Sequence, residues 1–474
     1  MTLQRLEARR RQAARIALYG SLILVGALTW GAVKLLDAPL RSRQTEEWVR
    51  RDYANLPEVK LLQQYAQIDT SESTGDELKG AEFLARHFQA AGIPYRIEKV
   101  GPRKANLYAW LVGKDSRPLV LHNHIDVSDV DPKEWFSPPF EARIQLPWIY
   151  GRGVFDMKSV AIAQMLAMID LKKSGLPLSH SVLFLATSSE ERGSRLGVRR
   201  IIRLHPEMVR DFWAVLTEGG VVEARARDEI KFWGTEVAQK YYADLIVCGD
   251  DRQRLEDLRK TLREMGPTVT DLRLTPEARE VLAAYGPTRD RKDLRRMMGN
   301  LEDAMGDVKA FRKLPNYIQS MLRDEAVPFK VKEARGGGWE LDIKLQLLPG
   351  EDPQAVREKL VPSWLTFGLT TMVDDPQSAR AGSPLGSPVY KAIDATLRDA
   401  YPDAPVGPYF LPWTATDARF FRTLGVPTYG FSPFLLMNTD TLQVDQANER
   451  FAVPAFADGV ELYKKLVRRL VSDT

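Results

Sequence analysis

The sequence predicts an α/β protein with a larger, discontinuous domain and a smaller α+β domain inserted into it. The larger domain is expected to hold a mostly parallel sheet with flanking helices, because short apolar strands alternate with helices over residues 56–233. Half-exposed strands and charged helices replace this pattern over residues 234–375, and the α/β pattern resumes over residues 376–474. One interrupted domain explains this order better than three domains in series.

The first part of the larger domain begins with a helix near Ser73–Glu77, where acidic residues occupy the first turn and apolar residues follow at helical spacing. Buried strands and one long apolar helix follow. The predicted strands are Leu107–Val112, Leu119–Leu121, Ser181–Thr187 and Trp213–Leu216, and the helix is Val160–Lys172.

The inserted region is predicted from alternation and charge. Tyr241, Ala243, Leu245 and Val247 alternate as in a half-exposed strand, and Asp251–Met265 has the pattern of an amphipathic helix. Further strands are predicted at 269–274, 329–332 and 339–347, a charged helical region at 289–323 and a link at 362–375. The resumed α/β part contains helices at 387–400, 416–424 and 451–471 and strands at 406–411 and 428–431.

The N-terminus predicts a membrane anchor. Residues 1–15 form an arginine-rich tail, and residues 16–36 form an apolar stretch in which Lys34 is the one charged residue. At ~1.5 Å per residue, a helix of this length reaches about 30 Å, the thickness of a bilayer core. The positive-inside bias favours a cytoplasmic location for residues 1–15. Residues 37–55 would then connect the anchor to the remaining chain, which would lie in the periplasm or another extracytoplasmic space. A cleaved signal peptide is the alternative, although its apolar core would be unusually long.

Composition narrows the function classes. The formal net charge is +4, and the basic residues are scattered without a nucleic-acid-binding motif, so no nucleic-acid partner is expected. Cys248 is the one cysteine, which excludes an intramolecular disulfide and a zinc site built from cysteines.

Three acidic motifs carry the chemistry. They are His122–Val127, Tyr150–Lys158 and Ser188–Gly193, and each follows or lies near an apolar stretch. Because ligands bind beyond the carboxyl ends of parallel strands, we expect the motifs to converge at one edge of the sheet. An imidazole and several carboxylates are ligands for divalent metals, and a further carboxylate can transfer protons.

The order of these motifs resembles the M20 family of metallopeptidases and amidohydrolases, which includes carboxypeptidase S-like and aminoacylase-like enzymes. The resemblance covers most of the chain from about Leu56. It rests on the following runs: Leu121–Val127, Trp135–Phe140, Tyr150–Lys158, Glu190–Glu191, Thr416–Arg419, Tyr429–Pro433 and Asn448–Arg450. It implies that the larger domain is catalytic and that the inserted domain acts as a lid or dimerisation domain.

The resemblance also implies roles for individual residues. His124 would bind one metal ion, Asp156 would bridge two, and Glu191 would bind the second. Asp126 would orient His124, and Glu190 would be the general base for a water molecule. The implied cofactor is one or two Zn²⁺ ions, with Mn²⁺ or Co²⁺ as alternatives.

The chain departs from the family pattern at several positions. Thr217 stands where the resemblance implies an acidic ligand, and Glu218, one residue later, could replace it only if the backbone shifts. Asp445 stands where a histidine ligand is implied, and it is a harder ligand that adds negative charge. No histidine follows position 205, so the oxyanion-binding histidine implied for the inserted domain is absent from the sequence. Gln346 stands where the resemblance implies an arginine, and Arg419 or Lys344 is expected to take over part of the binding of the substrate carboxylate.

Two functions from different classes therefore remain. The first is a membrane-anchored extracytoplasmic metallohydrolase that cleaves small peptides or N-acyl amino acids, with a homodimer as a further expectation. The second is a catalytically impaired relative that acts as a binding or scaffold protein on the membrane. The retained residues His124, Asp156, Glu190 and Glu191 favour the hydrolase, and the altered positions favour the binding protein.

Overall fold

The computed structural model describes residues 52–266, 272–361, 370–374, 382–439 and 441–472, with backbone alone for 370–374. The chain divides into a unit of residues 1–55 and a compact unit of residues 56–474. Within the first unit, the described residues form a short 3₁₀ helix, Tyr53–Asn55. The predicted anchor at 16–36 lies outside the described residues, and no helix in the described part is long and apolar enough to cross a membrane.

The second unit contains helices and strands in a mixed order. The helices are α1 (Pro57–Ala66), α2 (Glu77–Ala90), α3 (Lys158–Ser174), α4 (Val198–Leu204), α5 (Pro206–Arg210), α6 (Arg252–Met265), α7 (Pro276–Tyr285), α8 (Lys292–Gly299), α9 (Leu301–Gly306), α10 (Val308–Phe311), α11 (Asn316–Ser320), α12 (Pro353–Leu360), α13 (Pro388–Ala400), α14 (Ala418–Thr423) and α15 (Val453–Val471). The strands are β1 (Tyr95–Gly101), β2 (Lys104–Leu111), β3 (Asp115–His124), β4 (Arg143–Gln145), β5 (Trp148–Tyr150), β6 (His180–Thr187), β7 (Ala214–Thr217), β8 (Val221–Ala226), β9 (Glu229–Gln239), β10 (Tyr241–Gly249), β11 (Glu325–Glu333), β12 (Trp339–Leu347), β13 (Thr370–Asp374), β14 (Val406–Leu411), β15 (Thr428–Gly430) and β16 (Arg450–Ala452).

The largest sheet has nine strands in the order β1-β2-β6-β3-β7-β15-β9-β14, with β8 paired to β9. Its centre is parallel, since β6, β3, β7 and β15 run in one direction. The prediction of a mostly parallel sheet therefore describes this centre, whereas β1, β2 and β8 pair antiparallel. Four parallel strands thus end together, and their carboxyl ends form the edge at which the acidic motifs lie.

Helices cover both faces of the large sheet. On one face, Phe88 of α2 packs against Phe184 of β6, and α3 contacts α15 through the hydrogen bond from Gln164 to Tyr463. On the other face, Leu185 of β6 joins an apolar cluster with residues of α4, α5 and α14. Because successive strand residues point to opposite faces, the uninterrupted apolar run of β6 serves both layers.

The second sheet has four antiparallel strands in the order β11-β12-β10-β13. The alternating residues Tyr241, Ala243, Leu245 and Val247 of β10 are buried, and they pack with leucines of α6 and α12. This confirms the alternation that the sequence predicted for β10. The predicted link at 362–375 instead contributes β13, which pairs with β10.

The predicted domain boundary at residue 234 falls inside β9, since Gly234 pairs with Gly407 of β14 in the large sheet. The second sheet begins at Tyr241. Residues 232–239 are all buried, so this segment lacks the polar–apolar alternation that would have marked it as a strand. Helix α7 also belongs with the large sheet, since Tyr285 contacts Phe232 of β9, with ring centroids 5.1 Å apart.

Other predicted elements in this region differ in detail. The helical region at 289–323 consists of the short helices α8 to α11. The strand predicted at 269–274 lies partly outside the described residues, and residues 272–274 have no regular structure. The helix predicted at 451–471 begins at Val453, after the short strand β16.

A buried ion pair joins three elements where β15 meets β9 in the large sheet. Arg422 of α14 donates to both carboxylate oxygens of Glu236 in β9, at 2.6 and 2.7 Å. Gly430 of β15 donates its backbone N–H to the same carboxylate, at 3.2 Å. A Cβ at Gly430 would approach Glu236 within 2.8 Å, so glycine is required where β15 meets β9.

We predict that Arg422→Met destabilises the fold by about 3–5 kcal/mol, because Glu236 would remain as an uncompensated buried charge. The comparison is Arg210→Met, which removes an exposed ion pair with Glu207 and should cost less than ~1 kcal/mol. Urea unfolding of both variants measures the difference, and equal losses would contradict the assigned importance of the buried pair.

Candidate metal centre

The acidic motifs meet beyond the carboxyl ends of the central strands. His124 ends β3, Glu190 and Glu191 lie in a 3₁₀ turn (Glu190–Arg192) shortly after β6, and Glu218 follows β7. Asp156 and Asp445 reach the same place from loops next to the small sheet formed by β4, β5 and β16. The expected convergence therefore occurs, but one motif arrives from a separate sheet and not from a central strand.

Two groups of ligand atoms overlap at Asp156. The first contains His124, Asp156 and Glu218, and the second contains Asp156, Glu191 and Asp445; within each group the ligand atoms lie within 4.8 Å of one another. His124 Nε2 lies 3.1 Å from Asp156 Oδ1 and 3.7 Å from Glu218 Oε2. This is the arrangement expected of two neighbouring cation positions that share one carboxylate.

Glu218, and not Thr217, points into the first group. Thr217 Oγ1 instead lies 2.9 Å from His122 Nδ1, and His122 Nε2 lies 3.0 Å from Thr187 Oγ1. The chain turns directly after Glu218 through two glycines with positive φ, and a Cβ at Gly220 would lie 2.6 Å from a backbone oxygen. Glu218, one residue after Thr217, therefore provides a carboxylate to the first group.

Asp126 contacts His124 through its main chain. His124 Nδ1 lies 2.8 Å from the backbone carbonyl of Asp126, which directs Nε2 towards the other ligands, while the nearer Asp126 carboxylate oxygen is 3.7 Å away. That carboxylate accepts the backbone N–H groups of Glu190 and Glu191, each at 3.0 Å. Asp126 therefore orients the imidazole through its main chain and holds the glutamate turn through its side chain.

Glu449 fixes the loop that presents Asp156. Its buried carboxylate accepts the backbone N–H groups of Gly153 at 3.2 Å and Phe155 at 2.8 Å, and it binds the Arg152 guanidinium at 2.7 Å. Arg152 also donates to the backbone carbonyl of Asp445 at 3.0 Å. The Asn448–Arg450 run is part of the resemblance, but no role was predicted for Glu449. The resemblance at this run was the available signal.

Several carboxyl groups lie close together in this site, and most of their pKa values are raised. Burial, together with the Glu218 and Asp417 carboxylates, raises the pKa of Glu190 well above its usual value. Burial and the Asp156 carboxylate raise the pKa of Glu218 and of Glu191 to about 8. Burial opposes ionisation of Asp156, but its hydrogen bond with His124 lowers its pKa. The protein supplies too little positive charge here to balance these groups.

The donor set fits divalent cations. Imidazole nitrogen and carboxylate oxygens are ligands of zinc and manganese. Among the described residues, the buried Oε1 atom of Glu191 has no hydrogen-bond partner, although its Oε2 atom accepts from Ser128 at 2.7 Å. His124, Asp156 and Glu218 would hold one cation, and Asp156, Glu191 and Asp445 would hold the other.

A cleft of about 490 Å³ opens onto these residues. Glu190 lines it together with the ligand carboxylates. Apolar side chains also line it: Val160, Val221, Val222, Leu411, Phe431, Phe434, Leu436 and Phe451. No lysine or arginine is among the described residues that line it.

The two predicted substrate-binding residues are not among the described residues that line this cleft. Lys344 is on β12 and forms an ion pair with Asp244 at 2.6 Å. Arg419 is half-buried on α14, and its guanidinium lies 4.5 Å from the centre of the Phe420 ring. Binding of a substrate carboxylate by either residue stays a prediction.

Comparisons with known proteins agree with this geometry. The family described as "Peptidase family M20/M25/M40" matches residues 120–469. Aminoacylase-1A of Rattus norvegicus is 24% identical over 431 residues, which cover 88% of this chain and 96% of the relative.

Two solved structures are similar in fold. The M20 family metallo-carboxypeptidase Sso-CP2 of Sulfolobus solfataricus has a TM-score of 0.67 and 19% identity, and the alignment covers 87% of this chain and 99% of that one. The YXEP protein of Bacillus subtilis, described as a dinuclear metal-binding peptidase of the M20 family, has a TM-score of 0.51 and 11% identity, with 86% and 96% coverage.

We predict that Glu449→Gln weakens metal binding by about 10–100-fold, because the loop carrying Asp156 loses its charged anchor. Competition with a chromophoric chelator measures the affinity. Glu461→Gln, which changes an exposed glutamate, is the matched control and should bind as the unaltered chain does. Equal affinities in the two variants would show that Glu449 does not support the site.

We also predict that metal affinity rises with pH until about pH 8. The raised pKa of Glu191 and Glu218, about 8 in each case, means that cations must displace protons at neutral pH. Calorimetry in two buffers of different ionisation enthalpy should detect proton release at pH 7. A pH-independent affinity between pH 6 and 8 would contradict this assignment.

Proposed function

The chain belongs to the peptidase family M20/M25/M40 and is a hydrolase, and we propose that it cleaves the amide bond of N-acyl amino acids or small peptides. The observation that carries this proposal is the pair of ligand groups sharing Asp156, with Glu190 beside them in the same cleft. The proposed cofactor is a pair of divalent cations, with zinc as the usual ion and Mn²⁺ or Co²⁺ as alternatives.

The proposed chemistry divides between the cofactor and the protein. Divalent cations at the two positions would polarise the scissile carbonyl and lower the pKa of a water molecule. Glu190 would accept the proton of that water and transfer it to the leaving amine, which is the work of a general base and then a general acid. Its raised pKa suits a group that must hold the proton between the two steps.

The cleft supports an apolar substrate group. Phe431, Phe434 and Phe451 are nearly fully buried and line the same cleft as the carboxylates, so an apolar acyl or side chain would be desolvated there. The name of the similar aminoacylase supports an N-acyl amino acid as the substrate class. The absence of lysine and arginine from the described lining gives a substrate carboxylate no cationic partner in the cleft.

The location of the enzyme is a further part of the proposal. The apolar stretch at 16–36 supports an uncleaved anchor, which would place residues from about 56 onward outside the cytoplasm. The membrane would then be a partner through this helix alone. A homodimer stays a prediction.

A second candidate is a binding protein without catalysis. It is favoured by the same lack of lysine and arginine in the described lining and by the lack of any histidine after position 205. In that case the cleft would bind an apolar ligand without cleaving it.

We expect Glu190→Gln to lower the turnover of N-acyl amino acids and dipeptides by about 10²–10⁴-fold, because the general base is lost. Metal content, measured by elemental analysis, should be unchanged, since Glu190 belongs to neither ligand group. Glu207→Gln alters an exposed glutamate and should retain full activity. Full amine release by Glu190→Gln would contradict the role of Glu190 as general base. No amine release by the unaltered chain would leave the binding protein as the function.

A further inference from the structure

The two cation positions differ in one donor. Both use Asp156 and a glutamate, Glu218 in the first and Glu191 in the second. The third donor is the imidazole of His124 in the first position and the carboxylate of Asp445 in the second. The second position is therefore built from carboxylate oxygens alone.

The surroundings also differ. The His124 side chain is 1% exposed, whereas that of Asp445 is 35% exposed. Water can reach the second position and complete a coordination shell of six oxygen ligands, which Mn²⁺ and Mg²⁺ prefer. The first position is more enclosed, and its imidazole suits zinc.

The carboxylates of the second position are held in place. Ser128 donates to Glu191 at 2.7 Å, and Arg152 donates to the Asp445 carbonyl at 3.0 Å and lies 3.5 Å from its carboxylate. Asp445 has a φ of 56°, a left-handed conformation that aspartate adopts more readily than most residues. This loop therefore presents the carboxylate in a defined position next to Asp156.

From this asymmetry, and resting on the proposed two-cation function, we infer that the protein holds two different metals, a zinc-type ion at His124 and a hard cation of the Mn²⁺ class at Asp445. A position with oxygen donors alone discriminates less against Mn²⁺ than one with an imidazole, where zinc is strongly favoured. Asp445 is the residue that sets this selectivity.

The test uses the full-length chain, stripped of metal by a chelator and loaded with one equivalent of Zn²⁺. Mn²⁺ is then titrated in, and the free ion is followed by electron paramagnetic resonance. We expect one Mn²⁺ to bind per chain, with zinc retained. Asp445→His supplies a second imidazole, and histidine also adopts the left-handed backbone conformation found at this position. This variant should bind Mn²⁺ about tenfold or more weakly and a second Zn²⁺ more tightly than the unaltered chain does.

Two further variants make the outcome decisive. Asp403→His places an imidazole on an exposed turn and should bind Mn²⁺ as the unaltered chain does. Asp445→Asn keeps the size of the side chain but removes its charge, and it should weaken Mn²⁺ binding while retaining one zinc. If Asp445→His does not fold, this variant provides the comparison.

Failure of this inference can be distinguished from failure of the proposed hydrolase. Binding of zinc without Mn²⁺, or equal Mn²⁺ affinity in the unaltered chain and both Asp445 variants, would overturn the selectivity and leave hydrolysis possible. Selective Mn²⁺ binding in a chain that releases no amine would support the selectivity and overturn the hydrolase.

Discussion

The structure is organised around the concentration of negative charge at Asp156. Its carboxylate is shared by two ligand groups that also include Glu191, Glu218 and Asp445. Several ionised carboxylates in a half-buried space repel one another, and burial together with the Asp156 carboxylate raises the pKa of Glu191, Glu218 and Asp445. Divalent cations at the two positions would supply the missing positive charge, so the same feature that destabilises the empty arrangement gives it affinity for metal.

The surrounding protein holds these carboxylates by bonds to the backbone. Asp126 accepts the N–H groups of Glu190 and Glu191, and Glu449 accepts those of Gly153 and Phe155. Two buried carboxylates, neither of which belongs to the two ligand groups, thus fix the loops that carry the ligands. The residues that position the ligands are therefore different from the ligands themselves. This explains why Glu449 is buried although it is not among the residues that line the cleft.

The sequence predicted those parts that depend on local patterns. The strands near 107–121 and 181–187 and the helix near 160–172 were found because their apolar runs are long and bounded by clear turns. The predicted boundary at 234 falls inside β9 because residues 232–239 are all buried and their sequence shows no alternation of polar and apolar residues. The support by Arg152 and Glu449 was missed because it joins residues 297 positions apart, a contact that only the tertiary structure reveals. Glu218 was undervalued since the turn that directs it depends on two glycines with positive φ.

The cleft combines two kinds of lining. The carboxylates of both ligand groups lie on it together with Glu190, and apolar side chains such as Phe431 and Phe434 lie on it as well. Its described lining offers no lysine or arginine for a substrate carboxylate. Under the proposed hydrolysis, the affinity for a particular substrate would depend on the apolar lining, whereas proton transfer would depend on Glu190. A change in the apolar lining would then alter which substrate is cleaved without abolishing the reaction.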